Sequence, residues 1–237
     1  MSHSLKQLNG KKLDASDGEI GQVKDFYFDD QSWAVRYVVA ETGTWLTSRQ
    51  VLLSPRAFGS LFPDGRDLIV NLTRQQIEDS PPIEWHKPVS RQYEEEYHRY
   101  YGWPNYWEGD GLLGTLNNFP ILEVPEKNPS NVAAAIAKKA KSPDAHLRST
   151  QAVKGYHLQA TDGIIGHVHD FMMDEESWVI GELVIKTGSR FSGHEVLIPV
   201  SKVIRISYEE STVFVSLTKE AVAQSPAQQL ALDGVFA

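Results

Sequence analysis

With 237 residues, 41% of them apolar and 23% charged, the chain has ordinary globular composition and room for one large domain or two small ones. It contains no cysteine, which excludes disulfides, iron–sulfur clusters, thiolate zinc and a thiol nucleophile. A net charge of -8 without a basic stripe argues against direct binding to nucleic acid, which needs clustered Lys and Arg. The amino-terminal stretch MSHSLKQLNG lacks a charged region followed by an apolar one, and no apolar run approaches the ~18 residues of a membrane span. The expected location is therefore the cytoplasm.

Taken in chain order, the first pattern returns later. Asp17-Gly18-Glu19-Ile20-Gly21-Gln22-Val23-Lys24-Asp25-Phe26 recurs as Asp162-Gly163-Ile164-Ile165-Gly166-His167-Val168-His169-Asp170-Phe171, an offset of 145 residues. At that offset, without a gap, Ser32-Trp33 falls on Ser177-Trp178, Thr42-Gly43 on Thr187-Gly188 and Ser80-Pro81 on Ser225-Pro226. Residues 9–81 share 23 identities with their counterparts, which marks an internal duplication. Two copies are too few for a solenoid, so each copy is expected to close on itself.

Within a copy the signals are those of strands. Val35-Arg36-Tyr37-Val38-Val39 and its counterpart from Ile180 are β-branched-rich runs, as are the stretches around Leu68 and Val213. Asp17-Gly18 and Asp162-Gly163 suit tight turns. Gly21 and Gly166, inside strand-like runs, predict a bulge or a sharp bend. Thr73 with Gln76 forms a capping box for a short helix ended by Ser80-Pro81, and Thr218 opens the equivalent turn. Five or six short strands in so short a copy predict a small, strongly bent β-barrel.

The run D-G-x-I-G-x-V-x-D-F, followed by Trp and a V/L/I-rich strand, resembles the PRC-barrel family. The resemblance rests on Asp17, Gly18, Ile20, Gly21, Val23, Asp25 and Phe26, and on Asp162, Gly163, Ile165, Gly166, Val168, Asp170 and Phe171. It implies a mostly β fold of two small PRC-type barrels joined by a partly helical, aromatic-rich linker. The family's fold is that of the cytoplasmic part of the photosynthetic reaction-centre H subunit and of the carboxy-terminal domain of a ribosome maturation factor. The expected boundaries are 5–82 and 151–228 for the two barrels, 83–150 for the linker and 229–237 for a tail.

The linker has no counterpart in the repeat. Ser90 caps a predicted helix to Tyr100 that Gly102 and Pro104 stop, which sets Tyr93, Tyr97 and Tyr101 on one face. Trp103, Tyr106 and Trp107 follow closely. These six rings either brace the barrels or form a protein-binding surface, because Tyr and Trp dominate interaction hot spots. Residues 123–150, with an alanine-rich helix from Val132 to Lys141, read as a mobile connector.

The chemistry-bearing candidates point to structure. His167 and His169 share a strand face, with His194-Glu195 beyond, but Gln22, Lys24, Arg49 and Gln50 stand in their places in the first copy. No metal and no other cofactor is expected. Asp25 and Asp170 are expected to brace turns or strands rather than to act as catalytic acids, and Trp33 and Trp178 to pack in cores or turns. The expectation is a non-enzymatic protein-interaction or scaffold module with a protein partner, open to homo-oligomerisation. Two alternatives follow from the resemblance: an accessory like the reaction-centre H subunit, docking peripherally on a membrane complex, or a ribosome-assembly factor that binds a ribosomal protein.

Overall fold

A computed structural model describes residues 1–43, 49–59, 68–81, 91–103, 146–188 and 193–226. The fold is mostly β and consists of two curled sheets, one per repeat. In the first, β2 (Lys12–Ala15) turns at Asp17-Gly18 into the long β3 (Gly18–Asp29), which pairs with β4 (Val35–Thr42), and β4 pairs with β5 (Arg49–Leu53). β6 (Leu68–Val70) returns parallel to β2, and α1 (Leu5–Leu8) and α2 (Arg74–Glu78) are the first two helical turns. In the second sheet, β8 (His157–Ala160), β9 (Gly163–Asp174), β10 (Ile180–Thr187), β11 (Glu195–Pro199) and β13 (Thr212–Val215) repeat this order, with β12 (Val203–Ser207) added beside β13. The registers agree at the same offset: Lys12 faces Gln22 as His157 faces His167, and Leu13 faces Leu68 as Leu158 faces Val213.

Local chemistry explains the curl. β3 carries register shifts against β4 between Val23 and Asp25 and between Tyr27 and Phe28, and such bulges increase twist and bend a strand. Gly21 sits where a Cβ would lie 2.1 Å from the Glu41 carbonyl oxygen, and at Gly166 it would lie 2.4 Å from that of Lys186, so only glycine lets the strands approach. Asp17 accepts from the Arg74 N–H at 2.7 Å and Asp162 from the Lys219 N–H at 2.8 Å. The turn aspartates thus also hold the first turns of α2 and of α5 (Lys219–Ala223), whose capping residues are Thr73, in a capping box with Gln76, and Thr218.

The sequence leads one to expect each copy to close on itself, and here the structure differs. β1 (Ser2–Ser4) precedes the first repeat yet pairs with β9 of the second, Ser4 facing Met172. β7 (Leu147–Ser149) precedes the second repeat yet pairs with β3 of the first, Ser149 facing Tyr27. The short helices that follow, α1 and α4 (Thr150–Val153), go with their strands. The structural units therefore cross the boundaries at 5–82 and 151–228: each sheet is completed by the leading segment of the other copy.

Buried carboxylates fasten both joints. Asp25 accepts from the hydroxyls of Ser149 and Thr150, the latter at 2.7 Å, and from the Gln151 N–H at 3.1 Å. Asp170 accepts from the Ser4 hydroxyl and from the Lys6 N–H at 2.9 Å. Between the joints the repeats meet about a pseudo-twofold: the Val35 N–H donates to the Trp178 carbonyl and the Ile180 N–H to the Trp33 carbonyl, each at 2.8 Å. Trp33 and Trp178 take up left-handed backbone there, with φ 59° and 56°. Phe28 lies 5.6 Å from Phe171 and Phe58 5.3 Å from Trp178, centroid to centroid, and one apolar core runs through both repeats.

Burial raises the Asp25 carboxyl above its usual value, outweighing the hydrogen bonds from Ser149, Thr150, Gln151 and the Phe26 N–H that favour its charged form. A folded pKa above the unfolded one contributes stability that is full below the unfolded value and is lost as pH rises through the folded value. In denaturant unfolding, Asp25→Ala should cost about 1.5–3 kcal/mol, the range for hydrogen bonds to a charged group, and Asp25→Asn less. The stability of the natural chain relative to Asp25→Asn should be greater near pH 4 than at pH 7. An equal difference at both pH values would refute the assignment of that titration to Asp25.

Candidate functional site

Two surfaces bear on interaction. The first is the aromatic helix. α3 (Arg91–Tyr101) lies on the outer face of β4 and β5, where Tyr97 is fully buried with Tyr37, Val39 and Leu52. Tyr27, Tyr101 and Leu147, the last from the exchanged β7, pack against this cluster. The Tyr97 hydroxyl donates to the Pro81 carbonyl, and burial holds its pKa well above the ordinary phenol value. Burial likewise pushes Tyr27 and Tyr101 up to about 12.

The contact has a polar centre. Glu94 and His98, one turn apart on α3, are both buried and both reach the Tyr37 hydroxyl at 3.0 Å. The phenol donates to the Glu94 carboxylate, so it can accept only from an Nε2–H of His98. Such a set fixes the helix in one register, because displacing it would strand buried polar groups.

The chain then turns at Gly102, with φ 69°, and the Trp103 N–H returns to the His98 carbonyl at 2.8 Å. Trp103 stacks on Tyr101 at 4.2 Å, both half-buried, while Tyr100 is 41% exposed. Of the six rings singled out in the sequence, then, Tyr97 is enclosed, and Tyr101 and Trp103 lie at the rim of the contact. The side chain of Tyr93, with Tyr106 and Trp107, lies outside the described residues, as do Val132–Lys141 and the tail 229–237.

The second surface lies on the second repeat and was not singled out in the sequence. Arg205, Phe214, Gln159 and Ile164 face one another in turn across β12, β13, β8 and β9. The Arg205 guanidinium lies 3.7 Å from the Phe214 ring centroid, and Ile164 is 55% exposed. Ile204 and Tyr208, at 65% and 70%, lie on β12 and in the turn after it. At the first-repeat counterparts of Ile164 and Gln159 stand Glu19 and Asp14. This difference between the copies was the available signal: an exposed isoleucine stands where the other copy has a charge.

The histidines do not converge. His169 meets Glu195 at 3.3 Å and the Lys6 ammonium at 3.0 Å, whereas His167 faces His157 and Lys186 across the sheet. Burial, then the Lys6 charge, lowers the His169 pKa. Among the described residues no three His, Asp or Glu side chains are grouped so as to hold a metal ion.

The enclosed position of Tyr97 makes a stability prediction. Tyr97→Ala should cost about 3–5 kcal/mol in denaturant unfolding, as for a buried ring. Tyr100→Ala should stay within about 0.5 kcal/mol of the natural chain. Similar losses in the two variants would contradict the packing described.

No helix among the described residues is long and apolar enough to cross a membrane. A search of curated proteins found no match. The family model that matches is that of the PRC-barrel domain, over residues 154–222, the repeat that carries Asp162, Gly163, Gly166 and Asp170. The chain thus carries a PRC-barrel domain, the family that its repeated motif resembles.

Proposed function

We propose that the chain is a non-enzymatic protein-interaction module in which the first repeat is a second PRC-type barrel that serves as platform and the second presents the binding surface. The observation that carries this reading is the row Arg205, Phe214, Gln159 and Ile164 across the second sheet, in which Ile164 is exposed and the Arg205 guanidinium lies on the half-buried Phe214 ring, with the exposed Ile204 next to Arg205 on β12. An exposed isoleucine in line with an aromatic ring favours association, and an arginine laid on that ring is a common hot-spot pairing. The motif carboxylates support it from the other side. Asp17, Asp25, Asp162 and Asp170 all hold backbone N–H or hydroxyl groups of the chain itself, a structural use that supports a non-catalytic reading.

An affinity pull-down with the intact chain against Ile164→Glu/Ile204→Glu tests it. Both side chains are more than half exposed, so the double variant should unfold within about 1 kcal/mol of the natural chain. A protein retained by the natural chain should be lost from the variant. Retention of the same proteins by both would overturn the assignment of the surface.

A further inference from the structure

The two exchanged segments occupy equivalent slots, and together they define what a slot accepts. In each, a three-residue strand ends on a serine that caps a helical turn. The serine hydroxyl donates to the motif aspartate and accepts from the N–H three residues on, Gln7 at 3.2 Å and Ala152 at 3.0 Å. The N–H two residues after the serine, of Lys6 or Gln151, donates to the same carboxylate. The side chains one and four residues after the serine are buried: Leu5 and Leu8 in one slot, Thr150 and Val153 in the other. The residue before the serine is a base paired with an acid of the receiving repeat, His3 with Glu175 at 2.8 Å and Arg148 with Asp30 at 2.6 Å.

Recognition therefore rests on strand pairing, one serine, two buried positions and one base–acid contact, a form of β-strand addition that is indifferent to which chain supplies the segment. Each segment leaves for its slot from a glycine with left-handed backbone, Gly10 at φ 78° and Gly155 at φ 91°. At Gly10 a Cβ would meet nothing within 4 Å, and the Gly10 N–H donates to the Val23 carbonyl at 2.9 Å, so the first repeat holds the chain at the point where the segment departs for the second.

We propose that the β9 edge with Asp170 is a peptide-accepting site whose ligand in trans is the Ser2–Leu8 segment of a second copy of this chain. The proposal rests on the reading of the protein as an interaction module and names one partner for it. The site lies at the exchanged joint, so its failure and that of the Ile164 surface are read in different experiments.

The test uses the full chain with its own segment expelled, Leu5→Asp/Leu8→Asp, and a fluorescent peptide of residues 1–9. Anisotropy should show saturable binding to this variant and little to the natural chain, whose slot is filled. A Ser4→Ala peptide should bind about tenfold more weakly, the loss expected for one hydrogen bond to a charged group. If the variant is unfolded, the natural peptide should restore its unfolding transition. A full-length Asp170→Ala chain, which keeps its segment but weakens its own slot, should form a 1:1 complex with the expelled variant in light scattering. A folded variant that ignores the peptide, or an unfolded one that the peptide does not restore, overturns the site. Peptide binding without the 1:1 complex overturns the second copy as its ligand.

Discussion

Two buried aspartates hold this architecture together, each gripping a segment that belongs in sequence to the other repeat. A carboxylate taken out of water needs hydrogen bonds to offset part of its lost hydration. Asp25 finds them in Ser149, Thr150 and Gln151, and Asp170 in Ser4 and Lys6. Either carboxylate would be stranded if its repeat separated from the other. The joints thus tie two small sheets into one body with a continuous core.

That arrangement gives the remaining features their places. The Trp33 and Trp178 turns bond across the pseudo-twofold, and the rings of Phe28, Phe171 and Phe58 fill the space between the repeats. The exchanged β7 sets Leu147 against the cluster beneath α3, so the same joint that ties the repeats also supports the aromatic helix. Symmetry ends at the outer faces. The first repeat has Tyr37 under a helix, while Glu182 stands at that position in the second. Conversely, the second exposes Ile164 where the first has Glu19. A frame that is the same in both copies and faces that are not is what one expects when folding constrains the one and partners select the other.

Much of the frame was legible in the sequence because its signals are local. An Asp-Gly turn, a glycine forced by a neighbouring carbonyl and a Thr-x-x-Gln box each fix the backbone within a few residues. The strand exchange was not legible in the same way. Nothing local distinguishes a leading segment that folds back on its own repeat from one that crosses to its neighbour, since the two repeats offer equivalent strands and equivalent aspartates. The signal that was there is Ser4 on Ser149, an identity at the shared offset that lies upstream of the aligned repeat and has a purpose only if something receives it. The aromatic linker was half legible. Helical spacing placed Tyr97 and Tyr101 on one face, but that Tyr97 meets Tyr37, Val39 and Leu52 depends on how the helix docks.

A double-mutant cycle on the joint tests the exchange most directly, because Ser4 has two candidate aspartates: Asp25 in its own repeat and Asp170 in the other. Unfolding free energies of Ser4→Ala, Asp170→Ala, Asp25→Ala and the two doubles that contain Ser4→Ala give both couplings. The account predicts a coupling of about 1 kcal/mol or more between Ser4 and Asp170, and one near zero between Ser4 and Asp25. A Ser4–Asp25 coupling of that size, with none to Asp170, would mean that each repeat closes on its own segment and would contradict the exchanged structure.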